Sequence, residues 1–138
     1  TVVNSLDKLY EKYNHRKFIP PDPLGFIYKY KRNRDKEIAG FFASALAYGR
    51  VQQIEKSLTD LFGRMGPSPY DFILNFNSGS VKKIAGFKHR FNTADEISFV
   101  CSAIKKVINK NIQSQARKIR YDLLIAFCKK KKLEQFYA

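Results

Sequence analysis

One stretch narrows the fold class more than any other. Between Asp35 and Tyr48, Ile38, Phe41, Phe42, Ala45 and Leu46 recur at spacings of three and four. Apolar residues at that period fall on one face of an α-helix. The remaining positions are dominated by small residues, Ala39, Gly40, Ala43, Ser44 and Ala47, which let neighbouring helices approach closely. The segment reads as a buried helix, and Gly49 ends or bends it. Elsewhere valine is scarce and clean two-residue alternation is absent, so the whole chain is expected to be all-α, a compact multi-helix bundle.

Punctuation residues divide the rest. Leu6, Leu9, Tyr10 and Tyr13 define a first helix over roughly 4–15. The run Ile19-Pro20-Pro21-Asp22-Pro23 interrupts it, because proline lacks an amide donor and restricts the residue before it. A rigid extended connector is expected there, with Asp22 bonding local amides. Val51, Ile54, Leu58, Leu61 and Phe62 mark a helix over about 50–65, closed by Gly63 and Gly66-Pro67. Ser68-Pro69-Tyr70-Asp71 is a helix start, with Ser as cap, Pro at the first helical position and an acid after it. It opens a short helix over 69–76 that Asn77-Ser78-Gly79 ends. Ser80 is expected to cap another turn through Ile84. Thr93-Ala94-Asp95-Glu96 is a capping box for a helix to about Asn109, with Ile97, Val100, Cys101, Ile104, Val107 and Ile108 inward. A last amphipathic helix over about 117–136 bears Ile119, Leu123, Leu124 and Phe127 and ends in the Lys129–Lys132 run. The core expected from these spacings is Leu9, Ile38, Phe41, Phe42, Leu46, Ile54, Leu58, Leu61, Phe72, Ile97, Val100 and Ile104.

Charge points to a partner. The chain of 138 residues carries a net charge of +14, with a pI near 9.9. Residues 1–100 hold 16 Lys and Arg against 10 acids, and residues 101–138 hold 10 against 2. Such a balance favours an anionic partner, nucleic acid first and an anionic membrane surface second, although a basic surface also serves solubility. The two cysteines, Cys101 and Cys128, form no CxxC pair, and the two histidines make no ligand cluster with them. Neither a disulfide framework nor a zinc site is expected, which suits a reducing cytoplasm. No apolar run is long enough to span a bilayer, and the N-terminus lacks the order of a signal peptide.

The sharpest local signal is Phe87-Lys88-His89-Arg90-Phe91-Asn92, preceded by Lys82 and Lys83. Cations between aromatics suit a polyanion: the charges meet phosphates while the rings pack or stack. Lys82, Lys83, Lys88, His89 and Arg90 are therefore the candidate nucleic-acid-binding residues. The competing reading is a solvated basic turn whose rings plug the core. His89 itself fits a general base, a phosphate contact or a structural histidine. The interleaved Tyr28, Lys29, Tyr30, Lys31, Arg32 and Arg34 give a weaker signal of the same kind. Asp35 and Glu37 are two apart in the first turn of a helix and point to different sides, so a structural role outweighs paired acid–base work. No Walker loop, GxGxxG, HExxH or GxSxG motif occurs, and no cofactor, metal or catalytic residue is expected from motifs.

Taken together, Asp22-Pro23, Asp35 through Gly49 (DKEIAGFFASALAYG), Ser68 through Leu74 (SPYDFIL) and Phe87 through Asn92 (FKHRFN) resemble a bacterial family of conserved hypothetical proteins. The likeness covers about residues 5–108. Members are longer, and their second halves resemble helix-hairpin-helix DNA glycosylases. The resemblance implies a glycosylase-like helical fold and possible DNA binding, with residues 1–109 as the family's N-terminal half and 110–138 as a diverged or truncated basic tail. On that reading a C-terminal half or a partner subunit is missing. The functions in view are a non-specific nucleic-acid-binding module, the N-terminal part of a base-excision-type enzyme, and a protein-interaction fragment with a basic face.

Overall fold

The computed structural model describes residues 2–110. The tail expected over 110–138, with its helix and the apolar residues Ile119, Leu123, Leu124 and Phe127, lies outside them apart from Lys110. Within them the chain is helical: α1 (Val2–Tyr13), α2 (Asn33–Ala45), α3 (Val51–Met65), α4 (Pro69–Leu74), α5 (Ser78–Ile84) and α6 (Ala94–Asn109), with two short 3-10 stretches before α2. The all-α expectation holds. The one departure is a small antiparallel hairpin, β1 (Lys88–His89) and β2 (Asn92–Thr93), in which Lys88 faces Thr93 and His89 faces Asn92.

Helix α2 is the centre. Ile38, Ala39, Phe42 and Ala43 are buried on it, and Leu46 follows them just beyond its end. The helix stops at Ala45, before Gly49, whose φ of 96° turns the chain into α3. The 3-10 stretch Pro23–Lys29 lies along α2, and a Cβ at Gly40 would come within 3.2 Å of Ile27 Cδ1. A side chain at Gly40 would therefore require Ile27 to give by a few tenths of an ångström. Phe26 of the same stretch is buried against Phe62 of α3, with ring centroids 5.6 Å apart. Ile54, Leu58, Leu61, Phe62 and Met65 of α3, Ile73 of α4, Ile84 of α5 and Ile97, Val100, Cys101 and Ile104 of α6 complete one cluster with α2.

Several expectations need correction. Leu9 is 50% exposed, and α1 buries none of its residues. Helical spacing identifies an apolar stripe but not what covers it. Phe41 and Phe72 are only half-buried, flanking the core rather than filling it. The connector at 19–23 is not extended throughout. It sits between 3-10 turns over Arg16–Phe18 and Pro23–Lys29, where Asp22 Oδ1 accepts the Leu24 amide at 2.8 Å, as expected of an Asp in a turn. Asn77, not Ser80, caps α5: its side chain accepts from the Gly79 and Ser80 amides, and the Ser80 hydroxyl accepts the Asn77 amide. Asn takes this position as readily as Ser.

The contrast between the two aromatic-rich helices is measurable. Phe42→Ala should destabilise the fold by about 3–5 kcal/mol, the usual range for a buried Phe, whereas Leu9→Ala should change stability by no more than about 0.5 kcal/mol. Urea unfolding of both variants, read by circular dichroism, checks the difference.

Candidate nucleic-acid interface

The basic segment begins where α5 ends. Ala85 takes φ −51° and ψ 134°, Gly86 takes φ 81°, and the Phe87 amide bonds the Ile84 carbonyl at 3.0 Å. This is a type II turn, whose third residue needs positive φ and hence glycine. Arg64 of α3 secures it from below. Its Nη1 donates to the carbonyls of Lys83 at 3.2 Å and Ala85 at 2.7 Å, while Asp60 holds Nε at 3.0 Å. A cation thus serves the orphan carbonyls at the C-terminus of α5.

Alternation along the hairpin then sorts the signature into inward and outward residues. Phe87, His89 and Asn92 are buried, and Lys88, Arg90, Phe91 and Thr93 are exposed. The inward pair is fully hydrogen-bonded. His89 Nε2 lies 3.3 Å from the Tyr48 carbonyl and so carries the proton; Nδ1 therefore accepts from the Ser57 hydroxyl at 2.8 Å. Ser57 Oγ in turn accepts from Gln53 Nε2 at 3.1 Å. The Tyr48 hydroxyl donates to the Asn92 side-chain oxygen and lies 3.1 Å from the His89 carbonyl. Glu96 Oε2 accepts the Thr93 amide at 3.0 Å, the half of the capping box that fixes the start of α6, and lies 3.4 Å from Asn92 Nδ2. Burial pushes the His89 pKa below its ordinary value, and the neighbouring Arg90 charge adds to that effect.

His89 must therefore be withdrawn from the candidate interface. It is 0% exposed, held neutral inside, and cannot meet a phosphate. A structural histidine was among its possible roles, and the alternation of a hairpin, invisible in a helix-period reading, is what turns it inward. Lys82 and Lys83, on the last turn of α5, stay exposed, as do Lys88 and Arg90. Among the described residues none of these four forms an ion pair, whereas Arg32 and Arg64 do. Arg90 lies over the Tyr48 ring at 5.9 Å and by the Phe91 ring at 5.6 Å. A Cβ at Gly49 would stand 2.8 Å from its Nη1 and 2.9 Å from its Cδ, so a side chain there would displace Arg90 from this seat, and the φ of 96° itself favours glycine.

Most of the second aromatic–cation cluster is engaged within the fold. Arg32 makes a bidentate pair with Asp71, at 2.7 and 3.2 Å, which raises the arginine pKa and lowers that of the carboxyl. Arg34 stacks on Tyr70 at 5.2 Å, Lys29 on Phe26 at 4.0 Å and Arg16 on Tyr28 at 4.6 Å. Beneath this lies Asp35, only 3% exposed. One of its oxygens accepts the Ser68 hydroxyl at 2.6 Å and the Tyr70 amide at 3.0 Å, and the other faces Arg32 Nε at 3.6 Å. Ser68 Oγ accepts the Asp71 amide at 3.1 Å, and the Ser68 carbonyl takes the Phe72 amide at 3.0 Å. Pro69 has no amide to satisfy, so every donor of the first turn of α4 is served. Asp35 is structural, as its position suggested, but it caps α4 rather than its own helix. Neighbouring α4 is a groove of about 430 Å³, bordered by Met65, Ser68, Asp71, Asn75, Asn77 and Lys83. Its polar side chains include several already engaged in these caps.

Among the described residues no three His, Cys, Asp or Glu side chains gather as metal ligands, and no helix is long and apolar enough to cross a membrane. Cys101 is buried in the core, which pushes its thiol up to about 12. A family model described as a protein of unknown function (DUF2400) matches residues 22–134. No curated protein and no solved structure matches the chain.

Asp35→Ala should cost about 1–3 kcal/mol by leaving the Tyr70 amide and Ser68 hydroxyl buried without a partner; urea unfolding measures it. His89 gives a pH dependence of fixed sign. Its folded pKa is lowered from 6.5, so its stabilising effect is complete above the unfolded value and is lost as pH falls below it, because the unfolded chain takes up the proton first. Thermal unfolding between neutral and mildly acidic pH should show this fall, and His89→Gln should flatten it while lowering stability at neutral pH.

Proposed function

The chain belongs to the DUF2400 family, whose function is unknown, and from its surface chemistry we propose that it binds nucleic acid non-specifically through the phosphate backbone, using Lys82, Lys83, Lys88 and Arg90. The observation that carries this is a segment of one sign. From Phe72 to Ala94 the sequence has these four cations and no carboxylate, and all four are exposed without an ion pair among the described residues. Among the described residues Arg32 and Arg64 are paired with acids, and Arg16 and Arg34 lie over rings. Unpaired lysines and arginines on one segment form the usual electrostatic footprint of phosphate binding.

Lysine-dominated contacts of this kind set position and carry no sequence information. Affinity on the order of 10⁻⁴–10⁻⁶ M at physiological salt is expected. The glycosylase likeness implied by the family resemblance belongs to this proposal, and the all-helical core is compatible with it at the level of fold class. On that reading these residues supply grip rather than base chemistry.

Replacing Lys88 and Arg90 together by Ala should weaken binding alike for every sequence and reduce the slope of log affinity against log salt by about two. Fluorescence anisotropy with labelled oligonucleotides at several salt concentrations reads both. Undiminished binding by the folded double variant would remove this surface from the function.

A further inference from the structure

The hairpin carries a feature that phosphate binding leaves unused. Phe91 sits at its tip beside Arg90, and 45% of its surface is exposed. The tip is built firmly. Arg90 holds φ 51°, a left-handed value uncommon for a residue with a side chain. On either side of the tip, His89 and Asn92 are buried and bonded to Ser57, Tyr48 and Glu96. A large flat ring is thus held out in solvent by a turn that the core fixes, although Phe87 of the same segment is buried at 2%. The Arg90 guanidinium lies 5.6 Å from the Phe91 ring centre and 5.9 Å from that of Tyr48.

We propose that Phe91 and Arg90 form a stacking platform for one unpaired nucleobase and its phosphate, so that the surface prefers single-stranded nucleic acid to duplex. This rests on the nucleic-acid reading above and adds the form of strand. The chemistry follows from the two groups. An exposed ring gains by stacking on a base face, and it does so whatever the base, because every base has one. The guanidinium beside it supplies a planar, permanently charged donor for a phosphate oxygen. A continuous duplex keeps its base faces inside the stack, where a ring on a convex tip reaches none without prising a base out. Lys88, exposed on β1 two residues before Arg90, extends the cationic track.

The test is anisotropy titration of the full chain with a labelled oligothymidylate, a duplex of equal length, and an abasic strand of the same number of phosphates. The parent should bind the oligothymidylate about tenfold more tightly than the abasic strand. Phe91→Ala and Phe91→Leu should both remove that difference while leaving duplex binding unchanged. Phe91→Tyr should keep it. The Leu variant retains apolar bulk without a flat ring, so a fall with Ala alone would mean lost packing and would overturn the platform. Equal binding of base-bearing and abasic strands by the parent would overturn it too, with the phosphate reading intact. Salt-insensitive binding, or none, to all three probes would overturn both. Binding of polyglutamate as tight as that of the oligothymidylate would mark a general polyanion patch and also overturn the platform.

Discussion

His89 sits where the hairpin, α3 and the end of α2 meet, and its neutral imidazole holds them in one arrangement. One nitrogen donates to the Tyr48 carbonyl beyond α2, and the other accepts from Ser57 on α3. The same Tyr48 reaches back through its hydroxyl to Asn92 on the second strand. The hairpin is only two residues deep on each side, too short to stand alone. It is ordered because its inward pair forms a buried, satisfied polar network, in which each bond strengthens in a low-dielectric setting. Removing one member leaves others buried without partners, which costs more than the bond itself contributes. The outward face of the hairpin, with Lys88, Arg90 and Phe91, takes its position from that network.

A second buried network performs the same task at the opposite end of α2. Asp35 serves the first turn of α4, and Arg32 links it to Asp71 outside. The two networks divide the charges of the fold. Asp35, Asp60 and Asp71 are committed to arginines or helix ends, while the 72–94 segment has no acid at all. The excess of cations in that segment therefore reflects where the carboxylates are used, as well as how many there are.

The helices were legible because each is written in local terms. The spacing within α2, α3 and α6, the Ser68-Pro69 start and the Thr93–Glu96 box all lie within a few residues of one another. What was not legible depends on distant partners. Leu9 belongs to a proper amphipathic stripe, yet nothing local says whether a second surface will cover it. The cap that Asp35 gives α4 spans 35 residues. The inward turn of His89 follows from a two-residue strand register, which no helical period contains. Gly49 gave a usable hint, as the residue that turns the chain between α2 and α3 with a φ of 96°.

Four cations set a bound on how tightly this surface alone can hold a strand. With a slope of about −0.7 per phosphate on single strands, four contacts lose about fiftyfold in affinity between 50 and 200 mM salt. One stacked base, at the roughly tenfold expected of Phe91, offsets only part of that loss. An interface confined to Lys82, Lys83, Lys88 and Arg90 is therefore a weak one at physiological salt. The densest positive charge of the chain lies elsewhere, in residues 101–138, with 10 Lys and Arg against 2 acids. The salt slope separates the two contributions. A slope near three on single strands assigns the polyanion to the hairpin surface, and a much steeper one requires the C-terminal cations to share it.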